Sequence, residues 1–256
     1  MVMRFCLRLR SLRRIALALC LGAAGLLPTT LGTAADFTPE QRQAIEAIVR
    51  DYLAKNPDVM LDALQAAEDK IKVEARDKAS AALVTRRHEL LDDPDAPIAG
   101  NPKGDVTVVE FFDYRCPYCK QVVPAIDALL AEDKQLRFVF KEFPVLGADS
   151  VVAARAALAS RKQGKYDAMH RALMTTKGQI NAEAVFKMAG SVGLDAERLK
   201  RDMADPEIDR MLKANTKLAE ALEIRGTPAF VVGDEIVPGA ISLNALKQLI
   251  AAARQK

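Results

Sequence analysis

Four residues, Cys116-Pro117-Tyr118-Cys119, constrain this chain more than any other feature, because two thiols one helical turn apart limit both the local backbone and the chemistry. The run before them, Val106 to Phe112, is β-branched and aromatic and reads as a buried strand. The run after, Pro117 to about Glu132, reads as a helix, and Leu136 to Glu142 as a second strand. Strand, helix and strand with short joins predict a parallel βαβ unit. Cys116 then falls at a helix N-terminus, where unpaired amides and the helix dipole favour negative charge on sulfur. Pro117 suits the first helical position, which has no amide to satisfy. Cys119 sits one turn on, placed to attack a mixed disulfide at Cys116.

The other two cysteines, Cys6 and Cys20, lie in an N-terminal segment that reads as an export signal. Arg4, Arg8, Arg10, Arg13 and Arg14 precede an apolar run from Ile15 to about Leu27, too short for a permanent span. Small residues at Thr33 and Ala35 suit cleavage before Asp36, so residues 1–35 are expected to be a signal peptide and the mature protein periplasmic. The residues after Arg13-Arg14 fit twin-arginine export poorly, and Leu19 is too bulky for lipidation at Cys20. Removing the five leader arginines leaves 32 basic against 34 acidic residues, a net charge of −2, and with no tryptophan or basic aromatic stripe nothing points to nucleic acid.

Only Cys116 and Cys119 remain after cleavage, whereas a secreted chain that relied on disulfides for stability would spread more of them along its length. A lone close pair points to chemistry. A zinc site would need two more ligands, and only His88 and His170 are on offer, with no second Cys-x-x-Cys. No glycine-rich phosphate loop is present, so no organic cofactor is expected.

Thr38 to about Leu91 reads as a helical arm over residues 36–92, opened by a Thr38/Gln41 capping box with Pro39 at the first position and broken at Asn56-Pro57. Ile45, Ile48, Val49 and Leu53 form its first stripe. Met60, Leu64, Ala67 and Ile71 form a second, which decays into Ala75, Ala79 and Ala82. So little apolar surface cannot fold alone, so the arm is expected to pack on its own domain or on another copy as a homo-oligomer. Asp92 to Pro97 is a linker, and the catalytic domain is expected over residues 93–256. A helical block from Ser150 to about Leu222 breaks at Gly164, Gly178, Gly193 and Pro206. Short strands Ala229 to Val232 and Glu235 to Val237 flank Gly233-Asp234, and a helix runs from about Ser242 to Ala253. This order is α/β, a thioredoxin-like fold with a helical domain inserted at about 148–222.

Phe111 to Lys120 and Gly226-Thr227-Pro228-Ala229-Phe230 resemble the active-site and cis-proline strands of the DsbA family, and the arm resembles its Com1-like and ScsC-like branch. The resemblance implies a cis bond at Thr227-Pro228 facing the cysteines, whose backbone binds an incoming chain. It implies that Glu110 is a buried acid relaying a proton for Cys119, that Lys141 partners this acid, and that Tyr118 and Pro117 tune the redox potential. The implied activity is a disulfide oxidoreductase or isomerase, acting on unfolded or misfolded exported proteins and served by a membrane redox partner. Thr227 and Tyr118 depart from the valine and histidine of the most familiar oxidases, which leaves oxidase, isomerase and reductase roles open. A chaperone-like or copper-binding module with an incidental dithiol is the competing expectation.

Overall fold

The computed structural model describes residues 37–255, so the expected signal peptide lies outside the described residues. The described chain divides into two units, one through Asp62 and one from Ala63 onward. The first holds α1 (Pro39–Lys55) and the start of α2 (Pro57–Thr85). Thr38 caps α1 as expected: its hydroxyl accepts from the Gln41 amide at 3.3 Å and its own amide donates to Gln41 Oε1 at 2.9 Å. No residue of α1 is buried, and Ile48 and Tyr52 are more than half exposed.

In the second unit α2 ends and α3 (Arg87–Leu91) leads through the linker to β1 (Ile98–Gly100) and β2 (Val106–Phe112). Then come α4 (Pro117–Glu132), β3 (Leu136–Glu142), α5 (Ala148–Ser160), α6 (Tyr166–Thr175), α7 (Ala182–Ser191), α8 (Ala196–Asp202) and α9 (Pro206–Ala221). The hairpin β4 (Ala229–Val232) and β5 (Glu235–Pro238) and the helix α10 (Leu243–Arg254) close the chain. Five strands form one sheet in the order β1-β3-β2-β4-β5. Only β2 and β3 run parallel, as the βαβ reading requires. β1 is an edge strand absent from the sequence reading; three residues after Pro97 are too short to show alternation.

Strand parity divides the core. Even positions of β2 and β3, Val108, Phe112, Phe138 and Phe140, join Phe230 and Val232 under α4, α10 and the helical insertion. Odd positions, Val109, Phe111 and Val139, join Ala229 and Val231 under the ends of α2 and α9. Burial on both faces explains why these strands read as continuous apolar runs. Each buried phenylalanine contributes about 1.5–3 kcal/mol of transfer free energy. The α2 stripe behaves differently from expectation: Met60, Leu64 and Ile71 are exposed, while Ala79, Ala82 and Leu83 are buried. The buried face of α2 thus lies at its C-terminal end, where Ala82 and Leu83 join the odd-parity core, and not along the Met60–Ile71 stripe.

Candidate active site

The thiols sit where the C-terminal end of β2 meets α4. Cys116 is the N-cap of α4 in extended backbone, and its Sγ accepts a hydrogen bond from the Cys119 amide at 3.4 Å. The same sulfur donates to the Thr227 carbonyl at 3.2 Å, across the cis bond between Thr227 and Pro228. Sequence positions 111 residues apart thus meet at one atom. Both cysteines are buried free thiols, and Pro117 occupies the first helical turn as expected. Tyr118 is 60% exposed and projects beside them. A groove of about 590 Å³ runs alongside Thr227 and Pro228, walled by Ala79 and Leu83 of α2 and Ile236 of β5.

Asp113, which the spacing argument passed over, holds the turn that presents Cys116. Its carboxylate accepts from the Arg115 amide at 2.7 Å and the Leu146 amide at 3.0 Å, and its carbonyl from the Cys116 amide at 3.0 Å. Arg115 completes the clamp by donating to the Leu146 carbonyl at 2.7 Å.

Beneath the thiols, Glu110 is 1% exposed, and burial alone pushes its carboxyl up to about 8. Its Oε1 has no hydrogen-bond partner. Burial, then the charges of Glu110 and Cys116, push the Cys119 thiol well above the usual thiol range, opposed only by a backbone hydrogen bond from Asp113. Cys119 therefore needs a base to ionise, and Glu110 is the acid whose charge it senses.

The expected Glu110–Lys141 pair is not formed. Glu110 lies opposite Phe140 in the β2–β3 register and Lys141 opposite Phe111, so the two side chains leave opposite faces of the sheet. Lys141 instead donates to Asp93 Oδ2 of the linker at 2.6 Å. The residue sharing the Glu110 face is Glu142, a second acid that sequence reasoning missed. Tyr114 and Tyr166 donate to its Oε1 at 2.9 and 3.0 Å, and Tyr114 Oη also lies 2.9 Å from His170 Nδ1. Burial holds Glu142 well above the carboxylate range and presses His170 down to about 3. Glu142 closing the apolar strand β3 was the only local signal, and its place on the Glu110 face follows from the β2–β3 register.

Comparison with known proteins places this geometry. The family model described as the DSBA-like thioredoxin domain matches residues 107–251, and the one described as the copper resistance protein ScsC N-terminal domain matches residues 41–74. This chain belongs to the DsbA-like family. A solved thioredoxin-like oxidoreductase from Silicibacter pomeroyi is 48% identical, with a TM-score of 0.66 over 66% of this chain and 98% of that one. Proteus mirabilis ScsC in a transitional conformation is 27% identical, with a TM-score of 0.63 over 86% of this chain and 99% of that one. A Na(+)/H(+) antiporter NhaA 1 of Salinispora arenicola is 30% identical over 63% of this chain, which spans a quarter (25%) of the antiporter. Among the described residues, no helix is long and apolar enough to cross a membrane.

Proposed function

We propose that this protein is a periplasmic thiol-disulfide oxidoreductase acting on exported polypeptides. The observation that carries the reading is the Cys116 sulfur, held between the Cys119 amide and the Thr227 carbonyl with Glu110 under the second thiol. Cys116 thiolate attacks a substrate disulfide, forms a mixed disulfide and displaces one substrate sulfur as thiolate. Cys119 passes its proton to ionised Glu110 and attacks Cys116, the mixed disulfide breaks, and the substrate leaves reduced while the enzyme pair is oxidised. The reverse sequence oxidises a substrate dithiol. Backbone at Thr227 and Pro228 takes the substrate as a short added strand, and the adjoining groove accepts its apolar side chains. A membrane redox partner resets the pair, and Tyr118 and Pro117 set its potential. The two readings of a bare dithiol are separated by Cys116→Ser: loss of insulin reduction and of scrambled-substrate refolding supports exchange chemistry, and retention of both overturns it.

Within that reading we place the protein among disulfide isomerases, with the arm of residues 36–92 as a self-association element beside a catalytic domain over residues 93–256. Ile45, Ile48, Val49 and Tyr52 are exposed on α1, and the match to an ScsC N-terminal domain covers this segment. A reduction potential near −180 mV in an oligomer is the expected result, whereas about −120 mV in a monomer indicates an oxidase. The ScsC match also motivates a second reading, Cu(I) binding by the reduced dithiol. Titration showing no affinity beyond that of a generic dithiol removes it.

A further inference from the structure

Among the described residues one non-glycine side chain stands on left-handed backbone: Glu223, at φ 55°. It follows α9, where a reversed turn closes the helix. The Glu223 amide donates to the Glu220 carbonyl at 3.1 Å and the Ile224 amide to the Ala219 carbonyl at 2.8 Å. Glycine is the usual residue at this position, because a Cβ there costs backbone free energy. Since glycine would close the helix as well, the turn alone does not explain a glutamate. Its carboxylate does. It lies four residues before Thr227, is 16% exposed, and takes two cations, Lys78 of α2 on Oε1 and Arg225 on Oε2 at 2.8 Å. The hydrogen bond from Lys78, then that from Arg225, holds this carboxyl below the usual carboxylate range, so the ion pairs stand at neutral pH.

Lys78 and Glu223 belong to opposite walls of the groove that runs alongside Thr227 and Pro228. Ala75, Ala79 and Leu83 of α2 line one wall, and Ile224, Thr227 and Pro228 line the other. The ion pair joins α2 to the loop between α9 and β4. Nearer its C-terminal end α2 is held in another way: Ala82 and Leu83 are buried, and Arg86 just beyond the helix donates to the Lys217 carbonyl at 2.9 Å. Further up, ion pairs such as Lys70 with Glu74 and Lys72 with Glu68 stay within the helix. Lys78 thus ties down the stretch of α2 that walls the groove.

We propose that Glu223 is a positioning residue that staples α2 to the loop carrying Thr227 and Pro228, and so fixes the groove for a large apolar side chain close to the substrate cysteine. The inference rests on the proposed docking of substrate along Thr227 and Pro228. An extended chain paired there turns alternate side chains toward the groove. Its volume of about 590 Å³ holds an aromatic ring, and the small side chains of Ala75 and Ala79 leave the room for one. With the staple in place both walls are set before substrate arrives, which removes an ordering cost from binding. Without it α2 is free to draw away, and the bound side chain loses one of its walls.

The test uses capped, uncharged peptides with serine in place of the reactive cysteine and either phenylalanine or glycine beside it, followed by NMR titration of the full-length protein. The wild type is expected to bind the phenylalanine peptide more tightly. Glu223→Gly keeps the left-handed turn and removes the staple from the loop; Lys78→Ala removes it from α2, on a side chain 65% exposed that the fold does not need. Each is expected to weaken the phenylalanine peptide about fivefold and to leave the glycine peptide unchanged. The double variant is expected to lose no more than either single one, and Lys78→Arg to bind as the wild type does. With the corresponding disulfide-bearing peptides the loss is expected in KM, at unchanged kcat. Glu223→Gly is expected to melt within about 2 °C of the wild type, because relief of the backbone offsets the lost ion pairs. Single variants that keep the wild-type preference overturn the staple, as does a lowered melting temperature with both peptides weakened alike, the mark of a purely structural tie. Equal binding of the two peptides by the wild type overturns the groove and the staple together. Failure of the redox reading is seen separately, as activity surviving in Cys116→Ser, because binding of the serine peptides needs no thiol.

Discussion

On one face of the sheet β2 and β3 bury two acids, Glu110 and Glu142; on the other, β3 buries Lys141 against Asp93. The acids have no cationic partner in reach of a hydrogen bond, and Glu110 Oε1 and Glu142 Oε2 accept nothing. The lysine has a partner at 2.6 Å, and the charge of that aspartate opposes the desolvation that lowers the lysine. Burial of a charge without a pair shifts its protonation, while burial with a pair keeps it charged and makes it structural. The face with unpaired acids is the one under the thiols. The face with the ion pair ties the linker from α3 to the sheet.

The largest expected effect breaks the acid side of this comparison. Glu110 has a folded pKa of about 8 against an ordinary 4.5, so its contribution is neutral at low pH and destabilises as pH rises through that window. Glu110→Gln is expected to gain on the wild type by about 1.4 kcal/mol per pH unit across it, reaching roughly 4 kcal/mol near pH 8. Urea unfolding of both proteins at several pH values measures the difference. A constant gap across the window would mean that the acid is ionised in the folded protein. His170, held down to about 3, acts in the opposite sense, losing stability as pH falls below about 6.5, so the difference between the two proteins is the quantity to read.

The lysine side should respond to its partner rather than to pH. Asp93→Ala leaves a buried ammonium unpaired, and because the Asp93 side chain is 28% exposed, the expected loss is about 2 kcal/mol, below that of a fully buried pair. Adding Lys141→Met removes the stranded charge and is expected to restore most of the loss. Chemical denaturation of the single and double variants checks both values. Neither variant is expected to move the Glu110 carboxyl midpoint, since the pair lies across the sheet. A shift there would show that the two faces communicate.

Much of this division was written in the sequence without being readable there. The cysteine pair, its helix and both long strands follow from local pattern, and Thr227-Pro228 and Glu110 from resemblance. The parity of Lys141 within β3 is local too, but its face relative to Glu110 depends on the β2–β3 register, a tertiary fact. Tyr166 and His170 reach Glu142 and Tyr114 from α6, 24 and 56 positions away along the chain, with no periodic signal to announce them. The Asp93 partner comes from a linker that read only as polar. For α2 the pattern pointed to Met60, Leu64 and Ile71, whereas the core covers the end of the helix at Ala79, Ala82 and Leu83.

The smallest expected effect tests whether the acid face holds its second proton. Tyr166 donates to Glu142 Oε1 at 3.0 Å, and its ring stacks on His170 with centroids 5.6 Å apart. Tyr166→Phe keeps the ring and removes one donor, while Tyr114 still donates to the same oxygen. If Glu142 is protonated, as its burial directs, the lost bond is neutral and costs about 1 kcal/mol, lowering the melting temperature by about 2–4 °C. A loss near 3 kcal/mol at neutral pH would mean the tyrosine was holding a carboxylate. The acid face would then carry a fixed charge under the thiols, and Glu142, rather than Glu110 alone, would help to hold the Cys119 proton in place.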